Sequence, residues 1–196
     1  VEKYSADQTR HARAWLARAG TPGRALNGSW MRVMFREPEC GTVHDEGNGV
    51  VFSGLANLAA LIVGEGYPLE RGRTCFGVGA DGVTEFSRDQ AHLSAAEGED
   101  EARSFYLPMD PGYPRVTGAL TVIEGQATFS EDQACFPWNE WCWATGGGRP
   151  RPGHVLRRCY DEGTSVMMNR KAPPGGFGMK DPGIAWCFRT EITVTG

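Results

Sequence analysis

The sequence predicts a mainly β fold. It reads as an antiparallel β-sandwich or jelly-roll-like domain with an N-terminal helix-containing arm and one short internal helix. Three observations point there. Among 196 residues, 27 glycines and 12 prolines punctuate the chain too often for a helical bundle. Several short segments alternate apolar and polar residues. The last of them, Ile184 to Thr195, sets Ile184, Trp186, Phe188, Thr190, Ile192 and Val194 against Ala185, Cys187, Arg189, Glu191, Thr193 and Thr195. One face is mostly apolar and the other becomes charged, as in an antiparallel strand with one wet side.

The arm comprises residues 1–49 and the body residues 50–196. In the arm, Ser5-Ala-Asp-Gln8 is a capping box. Ala12, Trp15, Leu16 and Ala19 follow at helical spacing, and Gly20 stands at the C′ position. The spacing predicts a helix over 6–19 with one narrow apolar stripe and a basic opposite side, suited to docking on a surface. Residues 21–49 read as irregular, with Trp30 to Phe35 a short strand or helical turn. Residues 1–36 hold seven basic residues against two acidic ones, a net +5 in a chain whose total is −4. A basic lead-in on an acidic body can reach an acidic neighbour, including a second copy.

In the body, Ser53 caps a helix over 54–63. Leu55, Leu58, Ala59 and Ile62 repeat at helical spacing before Gly64 and Gly66 stop it. Residues 73–79 read as a strand, and the acidic stretch 85–104 as a surface loop with a helical turn. Residues 106–114 are extended and proline-broken. ALTVI (119–123) and QATFS (126–130) flank Glu124-Gly125, which reads as a tight hairpin turn. EWCWA (140–144) puts Trp141 and Trp143 on one face and Glu140 and Cys142 on the other, with Glu140 and Asn139 facing a partner or capping an edge. HVLRRCY (154–160) reads as another strand, and 145–153 and 172–183 as Gly/Pro-rich loops.

Candidate chemistry weighs less than packing. Gly77-Val-Gly-Ala-Asp-Gly82 matches G-x-G-x-x-G after a strand, but no apolar helical face follows to place amides on a pyrophosphate. A glycine-rich strand end is the better account. Cys135, Cys142, His154 and Cys159 are four ligand types without a C-x-x-C knuckle, and the six cysteines read as buried free thiols. No G-x-S-x-G elbow occurs. The four histidines are scattered, and Glu97, Glu99, Asp100 and Glu101 crowd one polar run. No enzyme and no cofactor are expected. The acidic balance argues against nucleic acid. No apolar run approaches about 18 residues, so no membrane span is expected, and nothing resembles a secretory signal. Trp138, Trp141, Trp143 and Trp186 read as core or as a subunit seam, with an exposed sugar-stacking platform as the alternative.

The order of segments carries a resemblance. Asn57-Leu-Ala-Ala-Leu-Ile-Val-Gly64, Phe76-Gly-Val-Gly79 and Arg103 through Pro114 come first. Ala127-Thr-Phe129, Phe136-Pro-Trp-Asn-Glu-Trp141, Val155-Leu-Arg-Arg158 and Trp186 through Val194 follow. Residues 50–196 thereby resemble small structural proteins of tailed bacteriophages. Ser165 departs from a Gly-Thr-Lys frequent in that group, and the loop 171–183 is longer than usual. The resemblance implies a virion component assembled in the bacterial cytoplasm. The expected role is a capsid decoration (cement) protein clamping neighbouring major capsid subunits, itself a homo-oligomer. A tail or head–tail adaptor protein is the nearest alternative, and a carbohydrate-binding or host-recognition module the alternative of another class. The arm would dock on an adjacent subunit through Arg10, Arg13, Trp15, Leu16 and Arg18.

Overall fold

The structure is a computed structural model. It describes residues 30–34, 49–81, 85, 87, 89–96, 103–117, 122–160, 164–172 and 175–195. The expected helix over 6–19, with Arg10, Arg13, Trp15, Leu16 and Arg18, lies outside these, as does the acidic run 97–101.

In chain order, β1 (Trp30–Met34) and β2 (Gly49–Val50) precede α1 (Phe52–Ile62). Then come β3 (Cys75–Gly79), a 3-10 turn (Ser94–Ala96), β4 (Ser104–Pro108), β5 (Arg115–Thr117) and β6 (Val122–Phe129). β7 (Pro137–Trp138), β8 (Glu140–Gly146), α2 (Leu156–Cys159), β9 (Ser165–Met167), β10 (Asn169–Arg170), β11 (Gly178–Met179) and β12 (Trp186–Thr195) complete the series.

Two four-stranded sheets, β1-β12-β6-β5 and β4-β3-β8-β9, form a mainly β, antiparallel sandwich. Its interior draws Phe76, Val78, Phe105, Leu107, Trp141 and Trp143 from the second sheet and Ala127, Phe129 and Phe188 from the first. The alternation predicted for the last strand holds. Phe188 and Thr190 point inward and are buried, while Cys187 is exposed. The second sheet has a further apolar layer on its outer side. There Cys75, Tyr106, Cys142, Ala144 and Met167 meet Val51, Leu93, Leu156, Cys159 and Tyr160. All residues of β3 and β8 are therefore buried.

α1 starts two residues earlier than its spacing suggests. Its N-cap is Val51, with no side-chain cap, and the Ser53 hydroxyl instead donates to the Met167 carbonyl at 2.9 Å. The Cβ of any residue other than glycine at position 54 would lie 2.2 Å from the Met168 carbonyl oxygen, so the helix packs directly on backbone. Its C-terminus is a Schellman turn, as the glycines predict. Gly64 takes φ +82°, its amide donates to the Leu61 carbonyl and the Glu65 amide to the Ala60 carbonyl. The Asn57 amide then exchanges two hydrogen bonds with the Tyr67 backbone, at 2.9 and 2.7 Å, and ties the returning chain to the helix.

Trp30–Met34, read as a short strand or helical turn, is a strand and pairs with β12 along its whole length. Three sequence expectations are corrected. Glu124-Gly125 is no turn. It lies inside β6, opposite Glu191 and Thr190, and the hairpin partner of β6 is β5, with Thr117 opposite Val122. The glycine serves packing, because a Cβ at position 125 would come within 2.5 Å of the Trp143 ring. HVLRRCY forms a helical turn over Leu156–Cys159. Leu156 and Cys159 are spaced i, i+3, which puts both on the sheet and leaves Arg157 and Arg158 in water. Cys187, expected buried, is exposed because it falls on the wet side of β12.

Candidate functional site

The four tryptophans singled out in the sequence converge on the sandwich interior. Trp138, Trp141 and Trp143 are at most 1 % exposed, and Trp186 is half-buried beside them. Strand alternation sends Trp141 and Trp143 to the same side of β8, toward β12. The Trp143 indole N–H donates to Thr190 Oγ1 at 2.7 Å, and that of Trp138 to the Ala134 carbonyl at 3.0 Å. Edge-to-face contacts join the set. Trp138 lies 5.0 Å from Trp186 and 4.7 Å from Phe129, and Trp141 lies 5.5 Å from Phe188. Phe188 is the hub, touching Phe76, Trp138, Trp141 and Phe177. Buried rings with bonded N–H groups are packing elements. A sugar-stacking platform needs exposed faces, which Trp138, Trp141 and Trp143 lack.

Behind the same strand lies a buried ion pair that sequence reasoning missed. β8 and the segment 167–171 form a ladder from Ala144 opposite Met167 to Trp141 opposite Lys171. The segment has one residue more than β8 between those two pairs, which is a bulge. The Met168 amide donates to the Trp143 carbonyl at 2.8 Å, and Asn169 Oδ1 accepts the Trp143 amide at 2.9 Å. The Asn169 side chain thus replaces a missing backbone acceptor, and its Nδ2 finds no acceptor among the described residues. Beyond the bulge, Arg170 Nε donates to Glu140 Oε2 at 2.5 Å, with both side chains at most 1 % exposed.

Glu140 also accepts the backbone amides of Ser94 (3.0 Å) and Ala95 (2.7 Å). Burial pushes its pKa upward, while the Ala95 amide, Arg170 and the Ser94 amide pull against that. Glu140 therefore neither faces a partner nor caps an edge. It pins the 90s segment and β10 to the sheet. Nothing in Asn169-Arg-Lys171 marks Arg170 as its partner, because a bulge has no sequence signature of its own here. Asn139 Nδ2 donates to the Ala80 carbonyl at 2.8 Å, also inside the chain.

The glycine motif has a packing explanation as well. Gly77 and Gly79 lie within β3, on the side where Tyr106 and Glu140 cross. A Cβ at 77 would sit 2.5 Å from the Tyr106 ring, and one at 79 would sit 2.6 Å from the Glu140 carboxylate. These glycines make room for side chains of the same molecule.

The proposed metal-ligand types are not brought together. Cys142 and Cys159 lie in the outer apolar layer. Cys135 donates to the Glu131 carbonyl at 3.3 Å, and His154 Nδ1 lies 2.7 Å from the Ser104 carbonyl. Among the described residues, no group of three or more His, Cys, Asp or Glu is arranged to hold a metal ion. Burial pushes the Cys75 thiol up to about 12 and that of Cys159 to about 11, and raises Cys142 well above its ordinary value. Thiols so held stay protonated and are poor nucleophiles.

Among the described residues, large apolar side chains reach the surface at three places. Phe52, Ile62 and Val63 (43, 57 and 64 % exposed) lie along and just beyond α1, Val116 (53 %) on the edge strand β5, and Met179 and Ile184 (55 and 52 %) around β11. No family model, no curated protein and no solved structure matches the chain.

Proposed function

We propose that this chain is a structural protein of a tailed-bacteriophage virion and that it acts as a capsid decoration protein. The proposal rests on the ordered motifs of residues 50–196. The observation that supports it is the use of the aromatic and acidic residues most open to a chemical reading. Trp138, Trp141, Trp143 and Glu140 are all buried and engaged within the chain. Among the described residues, what the molecule presents outward is a double-sheet body with separate apolar patches, and the sequence adds a basic stretch over residues 1–36. Modest contacts of that kind, repeated over a symmetric shell, add through multivalency and resist pressure better than one interface. The arm residues Arg10, Arg13, Trp15, Leu16 and Arg18 would grip the neighbouring major capsid subunit, and copies of the chain would associate with one another.

Immunogold labelling of the phage particles with antibody against the full chain tests this. Label over the heads is the expected result. Label confined to the neck or tail replaces decoration with the adaptor reading, and particles without label overturn the virion assignment. In pelleting assays with capsids, binding should weaken as salt rises, because exposed arginine contacts are screened beyond about 10 Å at 0.1 M.

A further inference from the structure

We propose that Cys135 and Lys180 form an oxidant-sensitive covalent pair. A hydroperoxide converts the Cys135 thiol to a sulfenic acid, and Lys180 Nζ closes on that sulfur as a sulfenamide. The inference goes beyond the virion assignment and does not depend on it.

Lys180 is an unusual lysine. It is fully buried, a state this side chain almost never reaches without a partner. It follows β11, and its amide continues the ladder with β7 by donating to the Phe136 carbonyl at 3.3 Å. Its side chain reaches the loop 130–136. There Nζ donates to the Ser130 carbonyl at 2.8 Å and lies 3.9 Å from Cys135 Sγ, 45 positions away in the chain. Among the described residues, the salt bridges join other groups. An ammonium with three donors thus meets one carbonyl oxygen and one sulfur there.

The sulfur is held in place beside it. Ala134, just before the cysteine, takes φ +51°, the single positive φ of a residue other than glycine among the described residues. Such backbone persists only where its surroundings fix it. Here the Ala134 carbonyl accepts the Phe136 amide at 2.9 Å and the Trp138 indole N–H at 3.0 Å. The Cys135 thiol donates to the Glu131 carbonyl at 3.3 Å while its sulfur accepts from Lys180. Cys135 is half-buried, so a small peroxide reaches it, whereas Cys75, Cys142 and Cys159 are sealed.

The chemistry is a two-electron oxidation. The thiol and one hydrogen peroxide give the sulfenic acid and water. The flexible four-carbon stem of Lys180 then swings Nζ onto the sulfur. The S–N bond forms as the S–O bond breaks, and hydroxide leaves with one proton from nitrogen as water. A second proton of the former ammonium passes to solvent. Overall the peroxide is reduced to water and the sulfur is oxidised. A dithiol reductant reverses the link, returning thiol and amine as it becomes a disulfide. The closed form staples the loop 130–136 to the chain that follows β11.

The test treats the full chain carrying Cys187→Ser with hydrogen peroxide and maps its peptides by mass spectrometry. That substitution removes an exposed thiol able to join two copies. The expected product links the Cys135 and Lys180 peptides with the loss of two hydrogens, and dithiothreitol should return both unmodified. The same treatment in urea should lower the yield about tenfold, because unfolding removes the enforced proximity. Lys180→Met keeps an unbranched stem and deletes the amine, so dimedone should trap more sulfenic acid on Cys135 than in the lysine form. Sulfinic acid on Cys135, or a disulfide from it, with Lys180 unmodified would overturn the proposal. So would an unmodified Cys135, a link formed equally in urea, or dimedone trapping unchanged by a folded Lys180→Met. Where Lys180→Met does not fold, the link and its urea dependence in the lysine form decide the matter.

Discussion

The two sheets are built from the same kind of strand and differ in what lies behind them. The β4-β3-β8-β9 sheet is dry on both faces. The β1-β12-β6-β5 sheet has one face in the core and one in water, where Asp110 accepts from Gln126 Nε2 and from the amide and hydroxyl of Thr128. Each sheet holds a glutamate salt-bridged to arginine. Glu140 is sealed in with Arg170, whereas Glu124, its own side chain only 9 % exposed, bridges Arg115 and Arg189, whose side chains reach water at 43 and 28 % exposed. The difference lies in the partners, and it sets the expectation that the pair sealed on both sides matters more. An arginine that loses its carboxylate is stranded when dry and rehydrated when it reaches water.

The largest test of that contrast removes the dry carboxylate. Glu140→Ala should cost about 3–5 kcal/mol in urea denaturation, since it takes the buried carboxylate away from Arg170 and from two backbone amides. Glu140→Leu combined with Arg170→Met should recover most of the loss, because apolar replacement of a whole buried pair is often near neutral. A cost below about 1 kcal/mol for Glu140→Ala would show that the pair is solvated after all.

Close packing comes next. Gly77→Ala sets a methyl group against Tyr106 and Cys142, and Gly125→Ala sets one against Trp143 and Met109. Each should destabilise by about 1–3 kcal/mol, readable as a lowered midpoint with an unchanged slope. The cysteines separate the two sheets with one chemistry. Cys142→Ser buries a hydroxyl in the apolar outer layer and should cost about 1–3 kcal/mol, whereas the exposed Cys187→Ser should stay within about 0.5 kcal/mol. In the native protein a thiol reagent should modify Cys187, while Cys75, Cys142 and Cys159 resist until unfolding. Rapid native labelling of those three would mean that the outer layer opens.

The smallest effect belongs to the carboxylate whose partners reach water. Burial pushes Glu124 up, but hydrogen bonds from Arg115 and Arg189 more than offset it, so its carboxyl lies below the ordinary glutamate value. A lowered native pKa means that the unfolded chain binds the proton more readily. The stabilisation is complete above about pH 4.3, the usual glutamate pKa, and is lost as pH falls through the native value. Glu124→Gln should cost under about 1 kcal/mol at neutral pH. It should also flatten the acid limb of the stability curve below about pH 4.3, and an unchanged limb would remove Glu124 from the account.

Alternation and periodicity were legible wherever a segment's own pattern sufficed. That holds for the mainly β class, the helix ended by Gly64, the shared face of Trp141 and Trp143, and the inward and outward sides of β12. The pattern misled where a residue's reason lies in another segment. Gly125 looks like a turn because turns are the commonest local use of glycine, yet it clears space for an indole 18 positions away. Glu140 looks like a surface charge because its partner stands 30 positions on, behind a bulge.

The amino-acid order by itself determined which side chains share a face, because the strand and helix repeats are properties of the backbone. It also determined that no charge interrupts the chain from Gly49 to Gly64. Only the tertiary structure decided that one sheet would be covered twice, that Arg170 would meet Glu140, and that three tryptophans would close inside the molecule. Those outcomes depend on which distant surfaces come within a few ångströms of each other, and local propensity carries no record of that.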